Sequence, residues 1–135
     1  SALSNDIQNL LKGAEEKTKN NSGLQLCLAL NYGSRYELTQ AVKMIALKVK
    51  SGEVKPEDID ENKFNEFLYT FNIPDPDLLI RTSGEMRLSN FLLWQLAYTE
   101  LMFLDILWPD FNKEHLINAV KNFQKRERRY GATSV

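Results

Sequence analysis

The sequence predicts an α/β domain with a largely parallel sheet flanked by helices. Three short apolar runs bounded by turn residues, 24–30, 78–80 and 101–103, alternate with segments of helical period. The runs are almost continuously apolar instead of alternating, as strands covered on both faces are. At 135 residues and 43% hydrophobic content the chain is long enough for a single domain with a core.

The elements follow in order. Residues 4–20 place Ile7, Leu10, Leu11 and Ala14 on one helical face and end in the turn-forming string Asn20-Asn21-Ser22-Gly23, so an amphipathic helix is expected. Residues 24–30 then read as a buried strand, with Cys27 an inert thiol inside it. Ser34 with Glu37 three positions on predicts a capping box. It opens a second helix in which Leu38, Ala41, Val42, Ile45 and Val49 face inward as far as Gly52.

A polar stretch with Pro56 leads to a shorter helical segment in which Phe64, Phe67 and Leu68 share a face. After Pro74 and Pro76 comes the strand 78–80, which runs into the polar loop Arg81-Thr82-Ser83-Gly84-Glu85-Met86-Arg87. Ser89 or Asn90 can cap a helix over 91–98, apolar nearly all round and therefore expected to be central. The strand 101–103 follows. Asn112 is expected to cap a last helix, with Leu116, Ala119, Val120 and Phe123 inward.

Composition excludes several classes. Seventeen basic against 18 acidic side chains leave a formal charge of -1, so no bulk charge points to nucleic acid or to an anionic membrane. No apolar stretch reaches the roughly 20 residues that cross a bilayer. One cysteine cannot form an internal disulfide, which suits a reducing, cytoplasmic compartment. The chain opens on Ser1-Ala2 without an initiating methionine, which suggests a processed or partial chain.

In open α/β sheets ligands collect beyond the C-terminal ends of the strands, which selects the loops 31–35 and 81–89. Arg81 just past a strand and Arg87 six residues on would bring two guanidinium forks to one mouth of the sheet, with Ser89 and the free amides of a helix start beside them. That combination suits a diphosphate. The same residues would equally serve as surface ion pairs with Glu85 or Asp77, with Ser89 only a cap. Glu100, between two apolar segments, is placed to meet a cation: a hard divalent ion such as Mg2+, or the partner of a salt bridge.

Tyr98, Trp94, Trp108 and Phe103 read as core aromatics. His115 reads as a surface residue without the companions of a metal site. Lys125, Arg126, Arg128 and Arg129 form a basic helix end, favoured there by the helix dipole.

Three strings carry a resemblance: Asn31-Tyr32-Gly33-Ser34-Arg35, the long run from Asp75-Pro76-Asp77 through Arg81-Thr82-Ser83-Gly84-Glu85-Met86-Arg87-Leu88-Ser89-Asn90 to Trp94-Gln95, and Trp108-Pro109-Asp110-Phe111. Together, over residues 4–131, they resemble the undecaprenyl diphosphate synthase family of cis-prenyltransferases. The resemblance implies a homodimeric α/β enzyme that uses Mg2+ to add isopentenyl diphosphate repeatedly to an allylic diphosphate such as farnesyl diphosphate. Its bacterial product is undecaprenyl diphosphate, precursor of the carrier lipid of cell-wall sugars.

It further implies that Arg81, Arg87 and Ser89 hold the isopentenyl diphosphate and that Glu100 helps to hold magnesium. Arg129 and Gly131, in Arg129-Tyr130-Gly131, match the element that reaches the partner subunit's active site. Ser34 stands where many members have glycine. The family's N-terminal His-x-x-x-x-Met-Asp-Gly-Asn-x-Arg-Trp pattern, with the aspartate that anchors magnesium and the allylic diphosphate, does not occur here.

Residues 1–135 are therefore expected to be the C-terminal part of a single cis-prenyltransferase domain. That part holds the isopentenyl diphosphate site, carries no catalytic residue of its own, and depends on the missing half for the allylic diphosphate. A cytoplasmic location is expected, with peripheral membrane contact allowed. Two other classes are compatible with parts of the sequence. One is a non-catalytic partner subunit, against which the retained Arg81, Arg87, Ser89 and Glu100 argue. The other is a small RNA-binding module using the basic C-terminal cluster, against which the near-zero net charge argues.

Overall fold

The computed structural model describes residues 3–126, which divide between Tyr32 and Gly33 into two compact units.

The first unit contains one helix, α1 (Asn5–Thr18), as the spacing of Ile7, Leu10 and Leu11 predicts. None of its residues is buried. Residues 24–30 depart from expectation. They form no strand, and their leucines, Leu24, Leu26, Leu28 and Leu30, are 49–96% exposed. Cys27, expected inert and buried, is exposed. The physical reason is that a buried strand needs neighbours for its ladder and layers over both faces. Within this unit, among the described residues, there is no strand for it to pair with.

The second unit is built from α2 (Ser34–Lys50), α3 (Glu61–Asn65), β1 (Leu78–Arg81), β2 (Glu100–Phe103) and α4 (Lys113–Gln124), with single 3₁₀ turns at Pro56–Asp58 and Trp108–Asp110. Helix α2 buries Ala41 and Ile45, whereas Val42, predicted inward, is exposed. At its C-terminal end Lys48 and Ser51 donate to the Glu53 carboxylate and hold it below the usual carboxylate range. Leu68 beyond α3, Leu96, Met102 on β2 and Ala119 on α4 complete a small apolar core.

β1 and β2 are parallel, in the register Leu78↔Glu100 to Arg81↔Phe103, which confirms the α/β class. The pairing continues past the strand ends. Leu104 N donates to Arg81 O at 2.8 Å, Ser83 N to Ile106 O at 2.7 Å and Gly84 N to Leu104 O at 3.0 Å. These bonds pin the loop that leaves β1. Ser83 and Gly84 have φ of 70° and 66° there, and a Cβ on Gly84 would lie 3.1 Å from Asp105 Oδ1, which favours glycine on both counts.

Helix α4 starts at the predicted cap. The Asn112 side chain accepts from Glu114 N and His115 N, and His115 Nδ1 accepts from Asn112 N. His115 is thus half-buried in a capping box and stacked on Phe111, where a plain surface residue was expected. Asn112→Ala should cost about 1 kcal/mol of stability, read as a lower urea midpoint at unchanged slope; an unchanged midpoint would show that the cap contributes nothing.

Two further expectations fail. Residues 91–98 form a run of turns, not a central helix, with one i to i−4 bond, Leu96 N to Leu92 O. The reason lies at its start, where Ser89, Asn90 and Leu92 have φ of 50°, 63° and 44°, outside the helical region. Tyr98 and Trp108 are 73% and 70% exposed, while Trp94 and Phe103 are only half-buried. Trp108 stacks on Phe111 at 5.7 Å and Trp94 Nε1 donates to Asn65 Oδ1, so local contacts hold these rings in place of core burial.

Candidate functional site

Arg81 closes β1 at its C-terminal end, the end that the parallel topology makes a ligand mouth. Its Nη1 donates to Ser89 Oγ at 2.9 Å and to the backbone carbonyl of Arg87. One guanidinium thus folds the loop 82–89 back on its own root, and brings together the three residues expected to bind a diphosphate. Arg87 itself points outward, exposed, and pairs with the Glu85 carboxylate. The surface-pair reading of Arg87 is therefore realised in this state. An exposed pair is worth at most about 1 kcal/mol, which a phosphate with charge-assisted bonds outcompetes.

The expected helix dipole behind Ser89 is missing, since residues 91–98 are turns. The loop is anchored from another direction. Ser34 N donates to Asn90 O at 2.8 Å, Arg35 N to Asn90 Oδ1 at 2.8 Å, and Leu93 N to Ser34 Oγ at 2.9 Å. Ser34 is fully buried by these contacts. The predicted capping box is thereby dissolved: Gly33 is the N-cap, without a side-chain cap bond, and the Ser34 hydroxyl serves the loop instead.

Glu37 is likewise fully buried and turned away from the helix start. It accepts from Tyr69 N at 2.8 Å and from Gln95 Nε2 at 3.4 and 3.5 Å, and Gln95 Nε2 also donates to Thr70 Oγ1 at 2.9 Å. Gln95 Oε1 is buried without a partner among the described residues.

Glu100 lies apart from the arginine cluster. In the parallel register it pairs with Leu78, three residues from Arg81, an offset of roughly 10 Å at strand spacing. Its carboxylate receives Arg126 Nη1 at 2.6 Å, and the same nitrogen reaches Leu101 O at 3.2 Å. Among the described residues no group of three or more His, Cys, Asp or Glu side chains could hold a metal ion. Glu100 offers one hard oxygen ligand, not a cage. Arg129 and Gly131 lie outside the described residues.

With this geometry in hand, comparison with known proteins is decisive. Residues 1–131 match the family described as "Putative undecaprenyl diphosphate synthase". The chain belongs to this prenyltransferase family. It is 57% identical over 118 residues to the ditrans,polycis-undecaprenyl-diphosphate synthase ((2E,6E)-farnesyl-diphosphate specific) of Micrococcus luteus, covering 87% of this chain and 47% of that protein. It is 51% identical over 132 residues to an isoprenyl transferase of Chlorobaculum tepidum, covering 98% of this chain and 50% of the relative.

Among solved structures it superposes on lavandulyl diphosphate synthase from Lavandula x intermedia, solved with dimethylallyl diphosphate, with a TM-score of 0.93 and 42% identity over 97% of this chain and 56% of that one. A probable undecaprenyl diphosphate synthase of Campylobacter jejuni matches with a TM-score of 0.80 and 33% identity over 97% and 59% of the two chains. The chain spans about half the length of the curated relatives it matches.

Within this prenyltransferase chain, local pattern reading missed Asn90, Gln95 and Arg126 as partners. Local pattern offers Asn90 only as an alternative helix cap. A signal was available: asparagine tolerates left-handed backbone, and a non-helical Asn90 calls for a long-range reason. Arg126 carried no such signal, because the 26 residues that separate it from Glu100 are bridged only by the fold.

Proposed function

We propose that this chain forms the isopentenyl diphosphate site of a cis-prenyltransferase that extends farnesyl diphosphate to undecaprenyl diphosphate. The observation that carries this is the Arg81–Ser89–Arg87 cluster at the C-terminal mouth of the parallel strands. Arg81 is preorganised by two hydrogen bonds, and the exposed Arg87 guanidinium is paired with the Glu85 carboxylate, which a more highly charged anion would displace. The farnesyl specificity in the name of the Micrococcus luteus relative supports the allylic partner.

In the condensation, the allylic carbon–oxygen bond breaks and diphosphate leaves. The isopentenyl double bond attacks the resulting cation, and a proton is lost to restore a double bond. The residues of this chain act on the isopentenyl side: Arg81 and Arg87 neutralise its diphosphate, Ser89 adds a neutral donor, and all three fix where its double bond stands. Magnesium belongs to the same proposal: Glu100, now paired with Arg126, would offer it one carboxylate oxygen, and the ion would neutralise diphosphate charge. So do a homodimer completed through Arg129 and Gly131, a cytoplasmic location with peripheral membrane contact, and the status of residues 1–135 as the C-terminal part of one domain.

Because catalysis needs both reacting carbons held at near-attack distance, a single diphosphate site should give almost no turnover. The purified 135-residue chain is expected to bind isopentenyl diphosphate by calorimetry and to form no product from it with farnesyl diphosphate. Absence of binding would defeat the assignment of the site; measurable condensation would defeat its restriction to half of the reaction.

A further inference from the structure

We infer that Asn90 is the positioning residue of the diphosphate site, setting Ser89 and, through it, the Arg81 fork by fastening the loop to the first turn of α2. This inference rests on the diphosphate reading of Arg81, Arg87 and Ser89.

The loop is held in a conformation that its sequence alone disfavours. Ser89, Asn90 and Leu92 all have positive φ, and none is glycine. Such backbone persists only where surrounding contacts over-determine it, and it concentrates at ligand clamps. Asn90 supplies those contacts from both its backbone and its side chain: its carbonyl accepts from Ser34 N and its Oδ1 from Arg35 N, each at 2.8 Å. Three positions beyond Asn90, Leu93 N donates to the Ser34 hydroxyl. Two consecutive amides at the start of a 17-residue helix thus grip a single asparagine.

The opposing surface is shaped to admit it. A Cβ on Gly33 would lie 2.9 Å from Asn90 Nδ2, closer than such atoms approach, so glycine at position 33 makes room for the Asn90 amide; at φ −152° its backbone has no other need of glycine. The residue before Asn90 is Ser89, whose Oγ receives Arg81 Nη1. Any rotation of Asn90 therefore moves the hydroxyl on which Arg81 is oriented. Asn90 needs no contact with the ligand to affect its binding.

The test is titration of the 135-residue chain with inorganic pyrophosphate by calorimetry. Unfolding midpoints and the Arg81 side-chain Nε–Hε cross-peak are recorded for each variant. Asn90→Ala should weaken pyrophosphate about tenfold and shift the Arg81 resonance toward that of a free arginine. Gly33→Ala, which leaves Asn90 itself intact but displaces its amide, should weaken binding in the same direction; this variant carries the test if Asn90→Ala does not fold.

In a Ser89→Ala background the further loss on Asn90→Ala should shrink to less than about twofold, since the two act through one path. Full additivity, or Asn90→Ala and Gly33→Ala proteins that bind like the parent with an unmoved Arg81 resonance, would overturn the inference while leaving the site standing. A parent chain that fails to bind pyrophosphate would overturn both.

Discussion

Alanine at Arg81 is expected to lower the affinity of the chain for inorganic pyrophosphate by about a hundredfold. The effect exceeds that of an ordinary surface arginine for a structural reason. Arg81 is half-buried at the end of β1, where the register with β2 fixes its backbone. Its guanidinium is the tie that holds both the Arg87 carbonyl and the Ser89 hydroxyl. Truncation removes one charged fork and releases the other two binding groups at once.

Arg81→Lys should fall between the parent and Arg81→Ala, because an ammonium keeps the charge but cannot hold carbonyl, hydroxyl and phosphate in one plane. Lys113→Ala, on the exposed first turn of α4, serves as the control for net charge. An Arg81→Ala protein that binds pyrophosphate within threefold of the parent would place the anion elsewhere.

The second large effect concerns stability. Glu37→Ala is expected to cost roughly 3 kcal/mol, measured by urea unfolding of the second unit's signal from Trp94. Glu37 is fully buried and accepts from Tyr69 N and Gln95 Nε2. Its removal leaves the part-buried Tyr69 amide without its acceptor and a void beside buried Gln95, whose Oε1 already lacks a partner among the described residues. Glu37→Gln keeps an oxygen for the Tyr69 amide and should lose clearly less. Equal losses in the two variants would mean that the charge, not the acceptor, is what the interior uses.

How far the sequence foretold this molecule varies by element. Helices α2 and α4 were legible as elements from their apolar period and, for α4, the Asn112 cap, although Val42, Leu116 and Val120, predicted inward, are exposed and only Ala41, Ile45 and Ala119 of the predicted faces are buried. The strands β1 and β2 were legible because short apolar runs beside turns had no competing assignment. Residues 91–98 were not. Their periodicity is helical, but the Leu93 amide is drawn to the Ser34 hydroxyl and Asn90, in left-handed backbone, is held by the Ser34 and Arg35 amides more than 50 residues away.

The capping pattern at Ser34 and Glu37 misled for the same reason, since both side chains found distant partners in place of their own helix end. Of the candidate site, Arg81 and Ser89 were legible from one topological rule about strand ends. The engagement of Glu100 by Arg126 was invisible to any local reading.

The exposed stretch 24–30 has a consequence for handling the isolated 135-residue chain. Its seven residues carry no charge, proline or glycine, bear four exposed leucines and make no backbone hydrogen bond among the described residues, so in the purified chain they offer a ready template for self-association.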